Sequence, residues 1–450
     1  MPAHRQLVAE LQGQRGKHQV VVLDAAKPYL IAALRRRLQL PVMVVTARPE
    51  ISRRLYDQLP AWHISHTSLQ LFPEPDALPY ERLTSDLTTE QERLRSLFTL
   101  TKGDAAEDAL IVTSAPALAW KTIPHIDFAS ATHSIRPGMH IDPLGLLARW
   151  EAMGYEMENA VEVPGTMSRR GGIIDVFPPT SDLPARIEFF GNNIESIRLF
   201  DPTDQRSVRP VPSITVSPAR EAIMPSLDNK PQAMQSLDAL DLSQCTAEAK
   251  DRVIREITML AQGQWFQGID FYAPLLSTDT ILDYLPQDAL LILDEPSDIE
   301  ASVNELDAQA SQMRREQVEQ GELPPNFPPP QLTWPELKAR LEKVRGCLAL
   351  TSRDGPSYEE HYQEHRATFA PAPSYGGQLP VFLKDAKEML RQGRGVILVS
   401  RQATRLSELL EEADIIAPPL PQIEQPPMPG LLTLVQGSLA EGWVMKEAVT

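Results

Sequence analysis

Gln19-Val-Val-Val-Leu-Asp-Ala-Ala-Lys-Pro28 carries the pattern on which the architecture rests. Its first half is a short apolar run of buried-strand type. Pro28 suits the first turn of a following helix, where a missing N–H costs nothing. Tyr29 to Leu38 continues as an amphipathic stretch ending in Arg35-Arg36-Arg37, and basic residues in a last turn favour the helix dipole. The same unit repeats outward. Pro41-Val-Met-Val-Val45 predicts a strand and Glu50 to Leu59 a helix. Leu69-Gln-Leu-Phe72 predicts a third strand, which runs into the irregular, proline-rich Pro73-Glu-Pro-Asp-Ala-Leu-Pro79. Thr88 to Leu100 reads as a helix with Thr88 as N-cap and Gln91 in the capping-box position. Ala109-Leu-Ile-Val-Thr113 is a further buried strand. Alternating helices and fully apolar strands predict a parallel sheet covered on both faces.

A sheet of this kind invites a nucleotide site, and the junction after the first strand argues against one. A P-loop needs G-x-x-x-x-G-K-[ST] so that backbone amides surround the phosphates. Here the junction is Asp24-Ala-Ala-Lys27-Pro28, with a lysine but no glycine, and Pro28 removes an amide donor. Gly13-Gln-Arg-Gly16-Lys17 has the wrong spacing and precedes the strand. Leu293-Asp294-Glu295 resembles the acidic pair of a motor strand, but without a P-loop partner it is expected to be a solvated strand end. His361-Tyr-Gln-Glu364-His365 has the H-x-x-E-H spacing of inverted zinc proteases. Pro371 and Pro373 leave room for only a short helix and no third ligand is evident, so a surface helix turn is expected. No catalytic residue, cofactor or metal is expected in this chain.

Composition sets the outer limits. With 450 residues the chain has room for about three domains. A formal net charge of −17 excludes a general nucleic-acid binder, so a DNA contact would need a local basic patch. Cys245 and Cys347 cannot build a disulfide framework, which fits a reducing cytoplasm. No apolar run approaches ~18 residues, so no membrane partner is expected. The 41 prolines against 22 glycines suggest domains joined by stiff connectors and few phosphate-cradling loops. The densest proline clusters are Pro324–Pro330 and Pro418–Pro429.

Near Ile135-Arg-Pro-Gly-Met139 the texture changes to short strands with one helix, Pro143 to Met153. If Gly191-Asn-Asn193 is a three-residue hairpin loop, Phe190 faces Ile194, Glu188 faces Ser196 and Arg186 faces Arg198. Period two then places Ala185, Ile187 and Phe189 in the core and Arg186, Glu188 and Phe190 outside. Directly opposed arginines are unfavourable for folding alone. With an exposed aromatic beside them, they have the composition of a protein-interface hot spot. Arg169 and Arg170 extend the candidate patch. Between Lys121 and Lys230 every basic residue except histidine is arginine, which suits bidentate contacts to carboxylates.

At these residues the chain resembles a known family. Gly165-Thr-Met-Ser-Arg-Arg-Gly-Gly-Ile-Ile-Asp-Val-Phe-Pro178, Ala185-Arg-Ile-Glu-Phe-Phe-Gly191 and Glu195-Ser-Ile-Arg-Leu-Phe-Asp201 are similar to the UvrA-binding module. The excision-repair protein UvrB shares that module with the bacterial transcription-repair coupling factors (Mfd). Phe72-Pro-Glu-Pro-Asp-Ala-Leu-Pro-Tyr80, Asp86-Leu-Thr-Thr-Glu-Gln-Glu-Arg-Leu94 and Gly437-Ser-Leu-Ala-Glu-Gly442 resemble the coupling-factor version. The degenerate P-loop position and the short Pro79-to-Thr88 connection, too short for UvrB's DNA hairpin, also favour it. The resemblance implies a multidomain α/β chain. A degenerate motor-like domain would occupy 1–135 and 213–345, with the UvrA-binding α+β module at 136–212 and a separate α/β domain at 346–450. It implies UvrA contacts at Arg170, Arg186 and Phe190, with Arg198 on their face. It also implies a cytoplasmic bacterial protein cut from a longer one. The longer protein would add RNA polymerase and double-stranded DNA partners, ATP and Mg in motor domains, and a C-terminal domain masking the UvrA site. The alternatives are a UvrB-type ATP-dependent damage loader and a structural module restraining the motor.

Overall fold

The computed structural model describes residues 7–11, 16–62, 64, 68–83, 86–101, 109–223, 230–264, 266–276, 278–353, 362–423 and 428–445. The first four strands are β1 (Lys17–Val21), β2 (Val42–Thr46), β3 (Leu69–Phe72) and β4 (Leu110–Ser114). β5 (His133–Ile135) then leads out into a separate sheet made of β6 (Glu156–Met157), β7 (Thr166–Arg170), β8 (Ile173–Val176), β9 (Ala185–Phe190), β10 (Asn193–Phe200) and β11 (Ser207–Pro210). The chain leaves it through β12 (Ile214–Val216), which pairs antiparallel with β5. Entry and exit of the excursion are thus zipped together. Three later strands, β13 (Leu290–Asp294), β14 (Gly346–Thr351) and β15 (Gln363–Arg366), return to the first sheet.

That sheet has seven parallel strands in the order β15-β1-β14-β13-β2-β4-β3. Alternate residues divide between two cores. Met43, Val45, Ile111, Leu291, Leu293, Cys347 and Ala349 pack on one face. Val42, Val44, Leu110, Val112, Leu290, Ile292, Leu348 and Leu350 pack on the other. Burial on both faces is why these strands read as unbroken apolar runs rather than as alternation. Cys347-Leu-Ala-Leu350, assigned from sequence to a separate last domain beginning at 346, is instead an interior strand here, between β1 and β13. A short apolar run carries no mark of its sheet, so spacing along the chain misplaced it.

The helix expected at 88–100 runs Leu87–Leu100, and its N-cap is Asp86 rather than Thr88. The Asp86 carboxylate accepts the Thr88 N–H at 2.8 Å. A largely helical layer, including Ala247–Ala261, gathers Tyr80, Leu260, Phe271, Tyr272 and Phe327 into a further core. After β16 (Phe369–Pro371), a parallel three-stranded sheet forms from β17 (Val396–Ser400), β18 (Pro419–Leu420) and β19 (Leu432–Gln436). β20 (Trp443–Met445) then pairs back on β16 and brings Trp443 against Tyr29, Trp62 and Phe369. Among the described residues no helix is long and apolar enough to cross a membrane.

Candidate partner-binding face

The sheet of the excursion runs β11-β10-β9-β8-β7-β6, antiparallel except for the parallel β6–β7 pair at one edge. One face lies on a core that includes Trp150, Ile174, Val176, Ala185, Ile187, Ile197 and Leu199. Helix Pro143–Ala152 covers it, with the Asp142 carboxylate accepting from Leu144 and Gly145 N–H. The register then fixes what the other face displays. One row across the sheet is Arg170–Ile173–Glu188–Ser196. The next is Ser168–Asp175–Arg186–Arg198. The four predicted residues Arg170, Arg186, Phe190 and Arg198 therefore share one face. Arg169 does not, because it pairs with Ile174, a core residue.

The hairpin differs from expectation in its turn. Phe190 pairs with Asn193 and Phe189 with Ile194, so Gly191-Asn192 is a two-residue loop. Gly191 supplies the positive φ (60°) that this turn requires. A bulge between Ile194 and Ser196 restores the predicted register below it, with Ser196 opposite Glu188 and Arg198 opposite Arg186. The slip sends Ile194 into the core and leaves Phe190 73% exposed.

Each of the two opposed arginines has a carboxylate partner. Asp175 on β8 accepts from Arg186 Nε at 2.9 Å and Nη2 at 2.8 Å. Those hydrogen bonds push the guanidinium pKa further up. Arg186 also donates to the Gln205 carbonyl and lies 4.6 Å from the centre of the buried Phe200 ring. On β10, Arg198 sits 3.7 Å from Glu188, which itself accepts from Ser196. Arg170 is exposed and reaches the Asn159 carbonyl. Arg186 is thus a seated residue, while Phe190, Arg198, Arg170 and the partly exposed Ile173 form the solvent-facing part of this face. Sequence reading missed Asp175, Ile173 and Phe200. All lie in strands that it recognised, but the loop from Phe177 to Pro184 leaves the β8–β9 register open. The one usable signal was the period-two position of Asp175.

The junction after β1 is built as an ion cluster. Lys27 is buried, and its ammonium contacts Asp24 at 2.5 Å, Asp294 at 2.6 Å and Glu295 at 2.8 Å. Glu295 also accepts from the backbone and side chain of Ser352. The Asp294-Glu295 pair, expected to be solvated, is therefore the counter-charge of Lys27. His361 lies outside the described residues, and Gln363–Arg366 is a strand, not a helix turn. Exposed Glu364 pairs with Arg366, whereas His365 turns inward.

A second ion network seats the excursion against the main sheet. Arg93 lies over Phe72 and pairs bidentately with Glu221, which also accepts from Thr122. Arg220 joins Glu90 to Glu156. Beside them burial, with the charge of Glu221, pushes the Asp270 carboxyl up to about 6.

The chain thus carries a seven-stranded parallel sheet and, inserted after its fourth strand along the chain, a second sheet with an arginine-bearing face. Residues 134–221 match the family described as UvrB interaction domain. The chain is similar to the transcription-repair-coupling factor of Bacillus subtilis (strain 168), at 29% identity over 66% of this chain and 26% of that protein. It is 32% identical to the one from Myxococcus xanthus, over 65% of this chain and 25% of the relative. UvrABC system protein B of Xanthomonas axonopodis pv. citri (strain 306) is 27% identical over 64% of this chain and 47% of its own length. These matches bear out the resemblance read at residues 165–201. The chain spans about a quarter of the coupling factors it matches.

Proposed function

We propose that this chain acts in nucleotide excision repair as a recruiter of UvrA, with Phe190 as the anchor of the interface. The observation that carries this reading is the 73% exposure of Phe190 at the end of an arginine-bearing strand inside the UvrB interaction domain. An aromatic left in water beside arginines contributes little to its own fold and has the make-up of a binding hot spot. Arginines on this face select an acidic protein partner, while the overall charge of −17 disfavours general DNA binding.

In this reading the first sheet is a scaffold and not an ATPase. Lys27, which stands where a P-loop lysine would reach phosphates, is held by three carboxylates, and Pro28 follows it. Placing a triphosphate there would set it against those same carboxylates. The chain's share in transcription-coupled repair is then to bring UvrA to RNA polymerase stalled at a lesion, in the bacterial cytoplasm. A UvrA pull-down tests it: wild-type chain is retained, and Arg198→Glu with Phe190→Ala is not. Equal retention of both would remove the proposal. A nucleotide titration separates it from the damage-loader reading, which requires saturable ATP binding.

A further inference from the structure

Three side chains from distant parts of the sequence converge at the β15 edge of the seven-stranded sheet. His18 lies on β1, His365 on β15, and Glu10 on the helical turn at residues 7–11. β1 and β15 are parallel neighbours with Val20 opposite His365, which sets the two imidazoles diagonally on one face. Both are buried, and the Glu10 side chain is 23% exposed. His18 Nδ1 is 3.3 Å from His365 Nε2. Glu10 Oε2 is 3.2 Å from that Nε2 and 3.8 Å from the His18 Nδ1.

We infer that Glu10, His18 and His365 form a binding site for a divalent transition metal of the zinc class. Zinc–nitrogen and zinc–oxygen bonds of about 2.0–2.1 Å at tetrahedral angles place neighbouring donor atoms about 3.3–3.4 Å apart. Two sides of the observed triangle, 3.2 and 3.3 Å, have that size, and the third, 3.8 Å, is about half an ångström wider. Two imidazoles and one carboxylate are a zinc donor set, and softer or harder ions would select thiolates or more oxygens. A proton between these atoms serves one pair at a time, whereas a cation at their centre serves all three lone pairs. With three protein ligands, the fourth position is left to water. The ion would tie residues 7–11 and strand β1 to β15, which lies about 350 residues further along the chain. The sequence reading finds no metal because it pairs His365 with His361 on a helix, whereas the strand turns His365 toward His18.

The test uses the whole 450-residue chain. After chelator treatment and dialysis, cobalt(II) is titrated in and followed by visible absorption. One equivalent is expected to give the intense ligand-field bands of four-coordinate cobalt, and zinc should displace it. His365→Ala and Glu10→Gln should each abolish those bands. Glu10 sits on a short peripheral turn, so Glu10→Gln carries the test if His365→Ala does not fold. Zinc should also raise the melting temperature of wild type and leave that of Glu10→Gln unmoved. Absence of the cobalt bands in folded wild type, or their persistence in Glu10→Gln, would overturn the assignment.

Discussion

Asp175 on β8 holds Arg186 on β9 by two parallel hydrogen bonds, at 2.9 and 2.8 Å, across adjacent antiparallel strands. The fork geometry fixes the guanidinium on the outer face of the module, and Phe200 supports it from beneath. The Arg186 side chain is 22% exposed and that of Asp175 7%, so this pair is worth more than a surface salt bridge. Removing Asp175 leaves a largely desolvated guanidinium, and removing Arg186 leaves a buried carboxylate. Each alanine variant is expected to lower stability by about 1–3 kcal/mol. Urea denaturation of both single variants and the double should show a coupling of at least ~0.5 kcal/mol. Additive effects would mean that the pair does not act as a unit.

Phe190 should behave in the opposite way. Its ring is mostly in water, so Phe190→Ala should change stability by no more than ~0.5 kcal/mol. If it anchors the UvrA interface, the same variant should weaken binding by at least ~2 kcal/mol, roughly 30-fold in dissociation constant. Calorimetric titration against UvrA, with a denaturation curve on the same preparation, separates the two quantities. An unchanged affinity would exclude Phe190 as the anchor.

Much of the fold and part of this face could be read from the chain because both rest on local periodicity. Unbroken runs such as Val42–Val45 mark strands buried on two faces, and alternation in Ala185–Phe190 marks one buried face. What resisted reading depends on register or on distant pairing. The Gly191-Asn192 turn is one residue shorter than expected, and the bulge that restores the register leaves no signature in a sequence rich in Asn and Glu. Cys347–Leu350 joins β1 across more than 300 residues, a choice made by the packing of two cores and not by its own residues. Asp294 and Glu295 look like a solvated strand end until Lys27 is placed beside them.

The Lys27 cluster gives a prediction of its own. Lys27→Met leaves Asp24, Asp294 and Glu295 without their shared cation, and Asp294 is already pushed up by burial. Breaking a buried charge cluster from one side is expected to cost about 3–5 kcal/mol. Lys27→Met with Asp294→Leu should recover part of that loss, since both the cation and its most buried partner are gone. Thermal melts of the three chains measure this directly. If Lys27 instead serves nucleotide, Lys27→Met should reduce ATP affinity while stability without nucleotide barely changes.

The junction between the module and the main sheet should respond to pH through Asp270. Its carboxyl is held up to about 6, above the ordinary aspartate value near 3.8, chiefly by burial and secondarily by the charge of Glu221, with Arg220 and Arg93 opposing. The folded chain therefore holds this proton more tightly than the unfolded chain does. The resulting stabilisation is fully present below about pH 4 and is lost as pH rises through 6. Asp270→Asn removes that titration and keeps a neutral side chain of the same shape. Relative to wild type, the variant should thus gain stability between pH 4 and pH 7. Melting temperatures of both chains at those two pH values decide the matter. A difference that stays constant would mean that folding leaves the Asp270 titration unchanged, and one that moves the other way would mean that Arg220 or Arg93 holds the carboxylate charged.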